Sequence, residues 1–108
     1  TRNPKLNMLK HIVMWKFKEE AEGASKEENL RKAKSLLDSL PPKIGEIKSF
    51  EVGIDILHSD SSYDLVLYSA FEDNPSLVAY QKHPEHRKVV EFLRKVQVGK
   101  TVVDYQVQ

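Results

Sequence analysis

The sequence predicts one α+β domain, with its elements in the order strand, helix, strand, strand, helix, strand. Three observations predict it. Residues 9–18 alternate between two faces, as a strand does. Leu30, Ala33, Leu36, Leu37 and Leu40 recur at helical spacing. A second helical pattern from Asn74 to Val96 is cut by Pro84.

The first strand, Leu9 to Lys18, places Leu9, His11, Val13, Trp15 and Phe17 on one face. Lys10, Ile12, Met14, Lys16 and Lys18 fall on the other, which is apolar in the middle and charged at its ends. After a loop with Gly23, Ser25 stands three residues before Glu28, the spacing of a capping box, and so opens the first helix. Pro41-Pro42 ends that helix, because proline cannot donate the next helical hydrogen bond. Ile47–Ile54 and Tyr63–Phe71 read as two strands joined through a polar loop, His58–Ser62. Asn74 reads as a capping side chain ahead of Pro75. His83-Pro84 then divides the helix, since the residue before proline avoids the helical region. In the second helical segment His86, Val89, Val90, Leu93 and Val96 share a face. Thr101–Val107 is the last strand, with Val103, Tyr105 and Val107 on one side and Val102 on the other.

Four strands with two crossover helical regions match the ferredoxin-like βαββαβ layout, an antiparallel four-stranded sheet covered by helices on one face. The uncovered face would carry Ile12, Met14, Val66, Tyr68 and Val102. Leaving such side chains in water forgoes about 1.5–3 kcal/mol each. A contiguous apolar patch points to an interface, and a homodimer through sheet faces is the simplest way to cover it.

At 108 residues the chain has room for one domain, read as residues 9–108. Residues 1–8 are polar at first, contain Pro4 and lack periodicity, and read as a flexible arm or an added leader. Lys and Arg total 17 against 16 Asp and Glu, so the basic excess of a nucleic-acid binder is absent and no nucleic acid is expected. With no cysteine there is no disulfide, thiolate nucleophile or Cys-based zinc site, which fits a cytoplasmic protein. No apolar run approaches the roughly 18–20 residues of a membrane span, so no membrane partner is expected. No phosphate-binding glycine loop and no G-x-S-x-G turn occur, and no cofactor is expected.

His11 and His86 are the chemically interesting histidines, because each sits on an apolar face that should point between sheet and helices. Tyr80, six residues before His86 across the proline break, can supply a hydrogen-bond partner. Such a set is either a satisfied core pair that fixes a helix on the sheet or an acid/base pair, since histidine titrates near neutral pH. Trp15, beside His11, and Val89 and Leu93, beside His86, would wall a pocket for a small, largely apolar or aromatic ligand. His58 reads as a surface residue and His83 as part of the helix break. No metal site is expected: His83 and His86 straddle Pro84 and no carboxylate has ligand spacing with them.

The stretches Lys10–Lys18, Tyr63–Leu67, Tyr80–His86 and Val102–Tyr105 together resemble the stress-responsive A/B barrel (Dabb) family, over about Leu9 to Val107. The resemblance implies a dimeric α/β barrel, two ferredoxin-like units sheet to sheet. Family members include stress-induced plant proteins without an assigned activity and a plant polyketide cyclase. In the cyclase the positions matching His11, Tyr80 and His86 belong to the active-site pocket, with the His86 match as acid/base group and the Tyr80 match hydrogen-bonded to it. Two further pocket positions of the cyclase, a tyrosine and a histidine, fall on Ala33 and Asp64 here, so its particular reaction does not carry over. Three functions follow as expectations: a ligand-binding homodimer, a cofactor-free cyclase, isomerase or monooxygenase, and a structural stress protein acting through assembly.

Overall fold

A computed structural model describes residues 7–107. The expected arm falls almost wholly outside these residues. The main sheet is ferredoxin-like: β1 (Leu9–Phe17), β4 (Ser49–Ile54), β5 (Leu65–Phe71) and β6 (Gln97–Gln106) are antiparallel in the order β4-β5-β1-β6. A short hairpin, β2 (Glu20–Ala21) and β3 (Ala24–Ser25), replaces the expected loop before the first helix. Its two-residue turn needs left-handed backbone, and Glu22 and Gly23 supply it at φ of 51° and 74°.

Helix α1 (Lys26–Asp38) starts at the predicted capping box: Glu28 N–H donates to Ser25 Oγ, and the Glu28 carboxylate accepts from Ser25 N–H. Buried Asn29 donates to the Ala21 carbonyl at 3.0 Å and so ties α1 to the hairpin. Helix α2 (Asn74–Lys82) is capped by Asp73 rather than Asn74, with Ser76 N–H donating to Asp73 Oδ1 at 2.9 Å. Helix α3 (Pro84–Val96) follows the break at His83, whose extended backbone (φ −63°, ψ 135°) is what a following proline requires. The His83 ring caps α3 by accepting from Glu85 N–H, which is the local structural role read from the sequence.

The layer between sheet and helices is the core: Trp15, Phe17, Leu37, Leu67, Phe71 and Leu93 are all buried there. Strand β1 is central, and its alternation is as predicted, with His11, Val13, Trp15 and Phe17 buried on the helix side. Two features of β6 differ from the sequence reading. It begins at Gln97, directly after α3, because residues 97–100 complete the ladder opposite Phe17 to Trp15. Its faces are also the reverse of those assigned. Val102 lies opposite Val13, on the helix side, while Val103 and Tyr105 lie opposite Ile12 and Lys10, on the open side. Adjacent Val102 and Val103 give no alternation from which to choose a face, and the cross-strand register decides it.

The open face therefore carries Ile12, Met14, Val66, Tyr68, Val103 and Tyr105. Lys10 and Lys16 rim it, with their ammonium groups over the rings of Tyr105 and Tyr63. No helix among the described residues is long and apolar enough to cross a membrane.

Candidate functional site

Between β1, β6 and the α2–α3 corner lies a cavity of about 170 Å³. Its wall includes all six residues singled out in the sequence: His11, Trp15, Tyr80, His86, Val89 and Leu93. An apolar cavity of about 150 Å³ suffices for benzene, so this one has the size of a single aromatic ring.

His11 reaches the cavity from the middle of β1 and is only 7% exposed. Its Nδ1–H donates to Asp104 Oδ1 at 2.5 Å, across the β1–β6 ladder where the two residues are directly opposite. Ser69 Oγ donates to the His11 carbonyl at 2.8 Å and fixes the backbone beside it. With Nδ1 committed to a carboxylate, the neutral ring presents an unprotonated Nε2.

His86 comes from the first turn of α3. Its Nδ1–H donates to the Gln81 carbonyl, 3.2 Å away near the end of α2. A carbonyl can only accept, so the neutral ring again keeps its lone pair on Nε2. Burial lowers the His86 pKa below 6.5; the Gln81 bond opposes this, and the charges of His11, Lys100 and His83 add to the lowering. His86 is therefore a neutral base at pH 7.

Tyr80 is wholly buried and packs on Phe71 and His86, with ring centroids 4.9 and 4.4 Å apart. The hydrogen bond from Tyr80 to His86 implied by the family resemblance is not formed: the two rings stack at a 49° tilt. The Tyr80 hydroxyl has no hydrogen-bond partner among the described residues. Burial pushes its pKa up, so it keeps its proton and can act as a donor.

The corner geometry thus brings two histidine rings and a buried tyrosine to a wall of mixed polar and apolar side chains. Titration of the His86 ring by NMR should give a pKa below 6.5; a value at or above 6.5 would refute the burial argument. The unfolded chain then takes up this proton first as pH falls, so the group costs stability as pH drops through about 6.5 and has no effect above it.

Several polar residues of the wall escaped the sequence reading: Asp104, Lys100, Arg94, Gln97 and Gln81. The signal for Asp104 and Lys100 was the β1–β6 register, which pairs them with His11 and Trp15. Ala33 and Asp64 do not line this cavity. Asp64 instead accepts from Phe17 N–H at 2.8 Å and faces Lys26 Nζ at 3.5 Å, so it closes the end of β1. His58 is exposed, on a turn where its N–H donates to the Asp55 carboxylate. No cluster of His, Asp or Glu among the described residues is arranged to hold a metal ion.

Residues 9–107 match the model of the stress responsive A/B barrel domain. The chain belongs to the Dabb family. No curated protein matches it in sequence. Among solved structures, this Dabb chain is similar to a dimeric, ferredoxin-like protein of unknown function from Bacteroides fragilis, at 29% identity and a TM-score of 0.79, covering 93% of this chain and 96% of that one. A dimeric ferredoxin-like protein of unknown function from Jannaschia is 28% identical, with a TM-score of 0.70 and coverage of 93% and 99%. A hydroxynitrile lyase from Passiflora edulis shares the fold at 16% identity, with a TM-score of 0.76 and coverage of 94% of each chain.

Proposed function

We propose that this Dabb protein is a cytoplasmic homodimer in which each subunit binds one small, largely apolar ligand, about one aromatic ring in size, between sheet and helices. The observation that carries this reading is the cavity whose wall includes His11, Trp15, Tyr80, His86, Val89 and Leu93. Its apolar surfaces favour a ring, and the Tyr80 hydroxyl and the two Nε2 atoms offer polar atoms to orient it. The homodimer is supported by the unpartnered apolar sheet face and by the dimeric solved structures of the same fold.

A second reading, a cofactor-free enzyme, is favoured by the His86 tether. With Nδ1–H held by Gln81, Nε2 is free to take a proton from a bound carbon acid. The Tyr80 hydroxyl would donate to the oxygen on which negative charge then develops. The lyase from Passiflora edulis supports only the capacity of this fold to house an enzyme.

Titration with benzyl alcohol, followed by ¹H–¹⁵N NMR, tests the pocket. Shifts should concentrate on the amides of β1 around His11 and Trp15 and on those of α3 from His86 to Leu93. A titration that leaves those amides unmoved, or moves only surface amides elsewhere, would sink the reading.

A further inference from the structure

We infer that the ligand carries a carboxylate, held at the mouth of the cavity by Arg94 and Lys100 with Arg87 beside them. This rests on the ligand-binding reading above and adds the chemical class of what is bound: a small aryl or acyl carboxylic acid, its apolar part inward.

The argument begins with continuity. Outside the cavity runs a surface groove that includes Gln81, His86, Arg87, Val90, Arg94 and Lys100. All of these except Arg87 also line the inner cavity, so groove and cavity are one path. Arg87, Val90 and Arg94 form one stripe on α3 at the spacing i, i+3, i+7, with Lys100 facing them from β6. The mouth thus sets three cations, Arg87, Arg94 and Lys100, around Val90 and His86, with Glu91 on its outer side.

The charges at this mouth are not used up by the fold. Among the described residues, no carboxylate lies within 4.0 Å of Arg87, Arg94 or Lys100. Lys34, Lys88 and Lys95, by contrast, each have an acidic partner. The acidic groups of the path are Asp104, committed to His11, and Glu91 on the outer groove.

Helix chemistry accounts for Arg94, a cation in the last turn of α3, but not for the other two. Arg87 is the fourth residue of α3, where a cation opposes the helix dipole. Lys100 lies directly opposite buried Trp15 on the helix-covered side of the sheet; it is exposed and has no carboxylate counterion among the described residues. A carboxylate entering from the groove supplies that counterion, and the guanidinium of Arg94 can meet it through two hydrogen bonds. The depth of about one ring then sets the ligand's apolar part behind it.

The experiment compares benzoate, benzyl alcohol and benzylamine, three probes with the same ring, by titration of the full chain. Benzoate should bind about tenfold more tightly than benzyl alcohol, with benzylamine weakest, and its advantage should shrink as salt is raised. Changing Arg94→Gln and Lys100→Gln together should bring the benzoate to benzyl alcohol ratio close to one. Both residues are exposed, and circular dichroism checks that the variant is folded. Lys95→Gln, outside the path, should keep the full ratio. Equal binding of benzoate and benzyl alcohol by the unaltered protein overturns the carboxylate and leaves the pocket standing. Binding of neither overturns both. A ratio that survives the double change also overturns the assignment.

Discussion

Met14→Glu is expected to make the protein monomeric in sedimentation velocity while its far-UV circular dichroism is unchanged. Met14 is near the centre of the open sheet face, directly opposite Val66 on β5 and Thr101 on β6, with Ile12, Tyr68 and Val103 one step along. In the single chain this side chain is half-exposed, so a carboxylate can reach water and the fold tolerates it. In a two-fold dimer the same change buries two carboxylates near the axis. At about 3 kcal/mol for each uncompensated charge, the pair weakens association by about 6 kcal/mol, roughly four decades in Kd. A variant that still sediments as a dimer would mean that the chain associates through another surface.

Tyr80→Phe should separate stability from binding. The buried hydroxyl of Tyr80 gains no hydrogen bond from the described residues, so the folded state bears its desolvation without return. Phenylalanine keeps the packing against Phe71 and His86 and removes that cost. The unliganded variant should be more stable by about 1 kcal/mol, a rise in melting temperature of about 4–8 °C for a domain of this size. Calorimetry at equal protein concentration measures this, since dimerisation makes the midpoint concentration-dependent. Benzyl alcohol should bind the same variant more weakly, because its hydroxyl loses the donor. A destabilised variant would show that Tyr80 serves the fold alone.

Much of this was legible in the residues because it is local. The alternation of Leu9 to Phe17 assigns His11 and Trp15 to one face, and the helical spacing of His86, Val89 and Leu93 brings a second face to meet it. The capping box at Ser25 and the break at His83-Pro84 depend on neighbours a few residues away. What escaped the sequence is set by long-range geometry. Asp104 reaches His11 only because β6 pairs with β1 in one register, 93 residues apart in the chain. The faces of Val102 and Val103 depend on the same register. Whether Tyr80 bonds to His86 or stacks on it depends on the angle at which α3 leaves α2, and no residue pattern states that angle. At the start of α2, Asp73 and Asn74 are both good caps, and the choice turns on backbone geometry.

Strand β6 contributes side chains to two surfaces at once. Lys100, Val102 and Asp104 look into the cavity, while Thr101, Val103 and Tyr105 look out through the open face. It is also an edge strand, held by β1 on one side only. In the proposed dimer, a ligand that displaces this ribbon would therefore alter how strongly one chain holds its twin. Thermodynamic reciprocity then requires pairing to alter the ligand's own affinity by the same factor.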